Sequence, residues 1–324
     1  MTDGLLPVER PDFSLVVATY GAGHALERLF DSLIAQRDCR FEVIVVDQNP
    51  DDDVRRLCHR YANELDIRHV TSRPGLSRAR NVGIGHCTGR IIAFPDDDCW
   101  YPAGLLVAVK AEILGVPGWA GLTCRCTDEQ GRLAAGGDSR RAGRISKRNV
   151  WHRGVSATLF LRAEVVARVG LFDETLGLGS EGYFKSGEES DYILRALRLQ
   201  ERLIYLPKLR VFHPLPQASG SAGAIERTWG YGLGFGRVLR KHDYRAPAIV
   251  YHFGYPLLGA TAALMRLDVS LAKIRLARVI GRVQGWHWEE GKTVTRYRWI
   301  DQRTARPVAT GGRTVKARLF RKRP

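Results

Sequence analysis

Two acidic clusters in this sequence have the residue types and spacing to do chemistry on a polar substrate. The first is Asp96-Asp97-Asp98, which follows Ile91-Ile92-Ala93-Phe94-Pro95. Three adjacent carboxylates repel one another and need a compensating cation. A hard divalent ion with oxygen ligands is the natural one, above all where it also bridges to phosphate. The alternative is a solvated acidic turn, and the apolar run before the triplet and Trp100-Tyr101-Pro102 after it argue against that. The second cluster is Glu188-Glu189-Ser190-Asp191, where a glycine-rich loop at 177–187 runs into a helix carrying Ile193, Leu194, Ala196 and Leu197. The helix dipole alone favours acids in a first turn. A carboxylate there is also a competent general base. His213 ends an extended run, and its imidazole suits a metal or a phosphate, or is simply packed.

Apolar residues on both faces of 91–94 mark a buried strand in a mainly parallel sheet. Its acids then lie at the carboxyl end, where open α/β sheets bind ligands. Ser14–Tyr20 reads as a first strand, followed by Gly21-Ala22-Gly23 and a helix with Leu26, Leu29, Phe30, Leu33 and Ile34 at helical spacing. This is only G-x-G-x-x-L, a partial dinucleotide-binding match. Phe41–Val46 is a second strand with Asp47 at its end. Asp47 there either accepts from a ribose hydroxyl or base N–H, or opens a polar turn with Asn49 and Asp51. A helix from Asp53 and a short strand at Ile67–Val70 come next. In Arg73-Pro74-Gly75-Leu76-Ser77-Arg78-Ala79-Arg80, Pro-Gly turns, Ser77 is placed to cap a helix, and Arg78 and Arg80 lie near its start. Arginines there bond phosphate or stack on a base, or belong to a solvated basic turn. Further expectations are a helix over 102–114, strands at 119–124 and 155–161, a short helix at 163–169, and two extended pieces at 202–207 and 209–213.

Charge divides the chain. The net charge is +16, yet residues 1–225 hold 29 Lys+Arg against 28 Asp+Glu, and residues 226–324 hold 21 against 6. The basic character therefore belongs to the C-terminal third and suits an anionic lipid surface or nucleic acid. Residues 246–265 carry no charged side chain, about the length that spans a bilayer. Pro247, His252, Gly254, Pro256 and Gly259 predict a broken or interfacial hairpin instead. Leu267–Val283 reads as a basic amphipathic helix with Leu271, Ile274, Leu276, Val279 and Ile280 on its apolar side, fit for an anionic membrane surface. Trp286 and Trp288 suit a headgroup layer. The six cysteines lack zinc-finger spacing, and reduced thiols are expected. No charged n-region and apolar h-region open the sequence, so no signal peptide is expected.

The run Val16-Val17-Ala18-Thr19-Tyr20, Val45-Val46-Asp47, Gly75-Leu76-Ser77-Arg78-Ala79-Arg80-Asn81 and Phe94-Pro95-Asp96-Asp97-Asp98 resembles the family 2 glycosyltransferases of the GT-A fold. The resemblance covers roughly residues 12–215. It implies an α/β fold with a mainly parallel sheet flanked by helices, a nucleotide-sugar donor, Mg2+ or Mn2+, and inverting transfer. Thr19, Tyr20, Asp47, Arg80 and Asp96 would bind donor, Asp96 and Asp98 with His213 would hold metal, and Glu189 would be the base. Glu188 and Asp191 are its alternates or acceptor-positioning groups. Two departures stand out: Gln48-Asn49 where relatives carry Asp-Gly-Ser or Asn-Gly-Ser, and glutamate rather than aspartate at 189. The expected organisation is a catalytic domain at 1–225, a membrane-associating helical extension at 226–290 and a flexible basic tail at 291–324. Residues 127–150 read as a mobile excursion over the acceptor side, and the basic, Gly-rich 227–245 as lining for the acceptor entrance. The acceptor expected is lipid-linked or a polysaccharide, at the inner face of the cell membrane on its cytoplasmic side. A nicotinamide-dependent oxidoreductase leaves the aspartate triplet unexplained. A basic nucleic-acid-binding protein lacks an RRM or KH signature, so no nucleic acid partner is expected.

Overall fold

Strands buried on both faces dictate the architecture. In the computed structural model, which describes residues 10–21, 23–215, 223–295, 297 and 299–300, the elements follow one another as β1 (Phe13–Thr19), α1 (Gly23–Ile34), β2 (Phe41–Asp47), α2 (Asp53–Tyr61), β3 (Ile67–Thr71), α3 (Leu76–Ile84), β4 (Ile91–Ala93), α4 (Leu105–Leu114), β5 (Gly121–Thr127), β6 (Leu133–Ala135), β7 (Gly143–Arg144), α5 (Val150–Arg153), β8 (Phe160–Arg162), α6 (Ala163–Val169), α7 (Glu188–Arg198), β9 (Leu203–Phe212), α8 (Ala224–Lys241), α9 (Ala246–Met265) and α10 (Val269–His287). The sheet order is β3-β2-β1-β4-β8-β5-β9-β7, with β6 paired to β5. β3, β2, β1 and β4 run parallel, and β8 is antiparallel to both its neighbours. Connections leave β1 for β2 on one side, and the chain returns to β4 on the other. The gap between β1 and β4 is thus a topological switch point, where such sheets open a crevice.

Strand alternation sorts the core into two layers. Phe13, Leu15 and Val17 face one side with Leu26, Leu29, Phe30, Leu33 and Val54. Val16, Ala18, Ile92 and Phe94 face the other with Ala79, Val165, Tyr192 and Leu233. Each such side chain, fully buried, contributes roughly 1.5–3 kcal/mol.

Several expectations are corrected. The strand at 155–161 is a 3-10 turn at Ser156–Thr158 followed by β8. The two pieces at 202–213 are one strand, β9. Its register against β5 jumps from Leu206 to Arg210, so Pro207 falls in a bulge where no ladder donor is required. The excursion at 127–150 carries β6 and β7. Ser77 lies inside the first turn of α3, whose N-cap is Gly75, and its Oγ donates to the Leu176 carbonyl at 2.7 Å.

The C-terminal third is helical as expected but departs in its details. Residues 246–265 form one unbroken helix, not a hairpin. Pro256 has no N–H for the His252 carbonyl one turn earlier, and the Arg282 guanidinium donates to that carbonyl instead. The glycines of 227–245 lie within α8. Gly232 and Gly236 meet the backbone of α10, and Gly281 and Gly285 meet the backbone of α8, so the two helices pack with almost no side chain between them. The buried stripe of α10 is therefore Ala272, Ala277, Gly281 and Gly285 rather than the expected leucines and isoleucines. Trp288 packs edge-on against Phe184 and under Arg237, and Trp286 under Arg240, so both are engaged with the protein. Val294, Trp299 and Ile300 join the same core, and residues 301–324 of the expected tail lie outside the described residues.

A Cβ at Gly285 would overlap the Leu233 carbonyl oxygen, whereas nothing lies within 4 Å of one at Gly254. Gly285→Leu should lower stability by about 3 kcal/mol or more. Gly254→Ala should raise it by roughly 0.5–1 kcal/mol. Urea denaturation of both variants checks the contrast.

Candidate active site

The site is built at the carboxyl ends of β1, β2 and β4. β1 delivers Thr19 and Tyr20, with Thr19 level with Asp47 across the ladder. Asp96 forms a bridge to Ala18, so the acidic triplet begins one strand away from Tyr20. Thr19 is buried, while the Tyr20 ring is 65% exposed and open to stacking. Asp47 is buried with both oxygens engaged: Oδ2 lies 3.0 Å from His69 Nε2, and Oδ1 accepts from the backbone and side chain of Asn49 at 2.9 Å. Gln48 and Asn49, the departure from the expected motif, tie this end together. Gln48 Oε1 accepts from Gly75 N at 2.7 Å, and Asn49 Oδ1 from Gly21 N at 2.6 Å. Gly21 thus serves the turn, and Ala22 of the partial glycine motif lies outside the described residues.

Arg80 joins the two acidic clusters. Its guanidinium donates from Nη2 to Asp96 at 3.1 Å and from Nη1 to Glu188 at 3.3 Å. The residue is 1% exposed and lies over the Phe172 ring at 5.5 Å, which itself stacks on Tyr192. The sequence left Arg80 to a phosphate, a base or a solvated basic turn; the structure gives it to two carboxylates. Arg78 is the outward arginine, paired to Glu174 and Glu181. Burial raises the Asp96 carboxyl, with Arg80 opposing, and the Ser156 hydroxyl stands 3.5 Å away. Asp97 turns towards the end of β1, and burial lifts it to about 6 against the help of Thr19 and the Tyr20 backbone.

Asp98 points the other way, to His213. Oδ1 lies 3.1 Å from Nε2, and Nδ1 lies 2.8 Å from the Pro214 carbonyl. Burial works against both charges, but the pairing outweighs it, lowering Asp98 and raising His213 to about 9. Paired backbone bonds between Trp100 and Phe212, and one from His213 N to the Thr127 carbonyl, hold the two residues in register. The three expected metal groups do not converge, and no cluster of three or more acidic, His or Cys groups fit to hold an ion occurs among the described residues. What remains is one carboxylate and one imidazole whose facing atoms are 3.1 Å apart. That is close to the separation of adjacent donors around an ion with ligand distances of roughly 2.1 Å. The Pro214 carbonyl supplies the outer bond that orients a ligating histidine. A magnesium-type ion held by one or two protein groups and completed by phosphate oxygens and water fits this set.

The second cluster separates by burial. Gly187, at φ +93°, caps α7 where a Cβ would press on Val238. Glu188 turns inward to Arg80. Glu189 is half-buried with no ion pair among the described residues, and burial beside the Glu188 charge holds its carboxyl well above the usual range. Asp191 is withdrawn from chemistry: it is 0% exposed and meets His242 at 2.8 Å, Lys241 at 2.9 Å and Arg195 at 3.0 Å. Burial raises its carboxyl, but these donors win and bring it to about 2. It fastens α7 to α8 and is corrected from alternate base to structural anchor. Ser156 is a neighbour that sequence reasoning passed over, and Tyr231 comes from the segment expected to line the acceptor entrance. Tyr231, on α8, is raised by burial and by the charges of Glu188 and Glu189. Neither carries a spacing signal, since 60 residues separate Ser156 from Asp96.

Residues 14–113, from β1 into α4, match the family model described as Glycosyl transferase family 2. The chain carries a family 2 glycosyltransferase domain. Glycosyltransferase AglE of Haloferax volcanii is 27% identical over 199 residues, covering 57% of this chain and 64% of its own length. The poly(ribitol-phosphate) beta-N-acetylglucosaminyltransferase TarS of Staphylococcus aureus is 31% identical over 91 residues, 26% of this chain and 16% of TarS. The chain thus spans less than two thirds of these relatives. In structure, TarS 1–349 with UDP-GlcNAc superposes at a TM-score of 0.54 and 16% identity, covering 85% of this chain and 90% of that one. A mannosyltransferase from Pyrobaculum calidifontis in complex with GDP-Man and Mn2+ gives 0.57 and 18%, covering 86% and 88%. These likenesses place the domain in the GT-A fold.

Removing the Arg80 cation strands two carboxylates, one of them buried. Arg80→Met should cost about 3–5 kcal/mol at neutral pH. The loss should shrink as pH falls and Asp96, raised by burial, takes up a proton, as paired urea titrations will show. Asp191 sits below its unfolded value near 3.9. Its contribution of about 2–3 kcal/mol is complete above pH 5 and lost as pH falls towards 2. The stability gap between wild type and Asp191→Asn should therefore close over that window.

Proposed function

We propose that this chain is an inverting glycosyltransferase that moves a sugar from a nucleotide-sugar donor to a hydroxyl of a lipid-linked or polysaccharide acceptor. The observation that carries the reading is the Arg80 bridge, which sets the aspartate cluster and the glutamate pair one guanidinium apart. A leaving group bound at one and a nucleophile deprotonated at the other are then neighbours. The donor complexes of the GT-A neighbours support the donor class.

In this mechanism the acceptor oxygen attacks the anomeric carbon from the face opposite the diphosphate. The new C–O bond forms as the old one breaks, and the nucleoside diphosphate leaves with the electron pair. Glu189 takes the acceptor proton. Its raised basicity suits that task, and its neighbour Glu188 is already engaged by Arg80. Tyr20 offers a ring to the base, and Asp47 orders the adjoining turn. Asp98 and His213 would hold Mg2+ or Mn2+. The ion supplies Lewis-acid stabilisation of the charge on the departing diphosphate. The acceptor is met at the inner face of the cell membrane, through the C-terminal helices.

With a donor panel of UDP-, GDP- and dTDP-sugars and Mn2+, Glu189→Gln should lower kcat about 10²–10⁴-fold. Donor affinity should stay within a few-fold. Activity needs the ionised carboxylate, so it should fall as pH drops through a pKa well above the ordinary glutamate value. Full transfer by Glu189→Gln, or a retained anomeric configuration in the product, would overturn the mechanism.

A further inference from the structure

α9 presents two opposed faces. His252, Pro256, Ala260 and Ala263 recur every third or fourth residue and are buried. The opposite arc holds Val250, Tyr255, Leu258 and Met265, each 70–80% exposed, with Tyr251 and Leu264 beside them. No charged residue occurs between Arg245 and Arg266, so the whole 20-residue length, about 30 Å, is an apolar edge. Soluble monomers rarely leave a contiguous apolar patch larger than a few hundred Å².

Beside this edge runs a row of arginines on α10. Arg275 donates to the Gly259 carbonyl. Arg282 donates to the His252 carbonyl and lies 4.0 Å over Phe235. Arg278, between them, has no hydrogen bond or ion pair among the described residues. None of the three meets a carboxylate there. Burial lowers Arg278 and Arg282, and each neighbour's charge lowers them further. An uncompensated row of like charges beside an apolar face calls for an anion attached to hydrocarbon.

We propose that α9 and α10 form a seat on an anionic phospholipid bilayer, with α9 lying in the plane of the interface and Arg278 of α10 facing headgroup phosphates. A spanning pose is opposed by the same bonds, although α9 is long and apolar enough to cross. α9 could cross only by leaving α10 or by drawing its arginines into the hydrocarbon. The seat specifies the membrane part of the function proposed above and rests on it, but not on the transfer chemistry.

The test is sedimentation of the full chain with vesicles of phosphatidylcholine alone or with about one third phosphatidylglycerol. Wild type should bind the anionic vesicles and be released by carbonate wash, and Tyr255→Trp should show blue-shifted emission on binding. Tyr255→Ser with Leu258→Ser should weaken binding about tenfold or more, since both side chains lose their burial in hydrocarbon. Arg278→Gln should reduce the preference for phosphatidylglycerol. All three variants should keep donor turnover on a soluble acceptor, which excludes misfolding. Binding unchanged in the double-serine variant, no binding by wild type, or resistance to carbonate would each overturn the seat. Vesicle binding without sugar transfer would instead overturn the transfer reading and leave the seat standing.

Discussion

One guanidinium carries the arrangement of this site. Arg80 is enclosed by protein and touches one carboxylate from each acidic cluster. A charge buried this deeply is tolerable only where its partners are fixed, so the fold must bring Asp96 and Glu188 to it from 16 and 108 residues away. The scaffolding around α3 serves that end. Asn81 exchanges bonds with the backbone of Phe172, Ser77 holds the Leu176 carbonyl, and Leu76 N donates to Leu178. Gly177, at φ +98°, leaves room for the Glu188 carboxylate, because a Cβ there would crowd it at 3.2 Å. The glycine-rich loop is thus fastened to α3 before it hands the chain to α7.

The sheet supplies the other half. Reversal of strand order between β1 and β4 opens the crevice, and Asp96, bridged to Ala18, stands at its lip. From there the triplet fans out: Asp96 to Arg80, Asp97 back to β1, Asp98 to His213. Adjacent carboxylates that would repel each other are each given a different environment. The resulting spread of acidities reflects those environments, since the three residues are chemically identical.

Much of this was legible in the sequence because its signals are local. β1, β2 and β4 show as apolar runs, α1 as a helical stripe, and the acidic clusters stand at the ends of such runs. What was not legible is long-range. Nothing near Arg80 announces that its partners are acids rather than phosphate. Nothing near Asp191 announces His242, which arrives 51 residues later and turns a candidate base into an anchor. In the C-terminal third, local rules misled. Glycines read as lining for the acceptor entrance are the points where α8 and α10 touch, and Pro256 is tolerated because Arg282 bonds the carbonyl it abandons. A helix breaker is only a breaker when no neighbour satisfies the freed group.

The glutamate pair follows from the same logic. Two carboxylates side by side cannot both ionise freely in a site this enclosed. Arg80 pairs with Glu188 and holds it as a carboxylate, leaving Glu189 to bear both the burial and its neighbour's charge, which lifts its basicity. Exchanging the roles would bury the base against a cation and weaken it as a proton acceptor. In the proposed reaction, placing the buried cation under one acid therefore leaves the other for proton transfer. That choice follows from the partner of Glu188 and does not depend on whether position 189 carries a glutamate or a shorter aspartate.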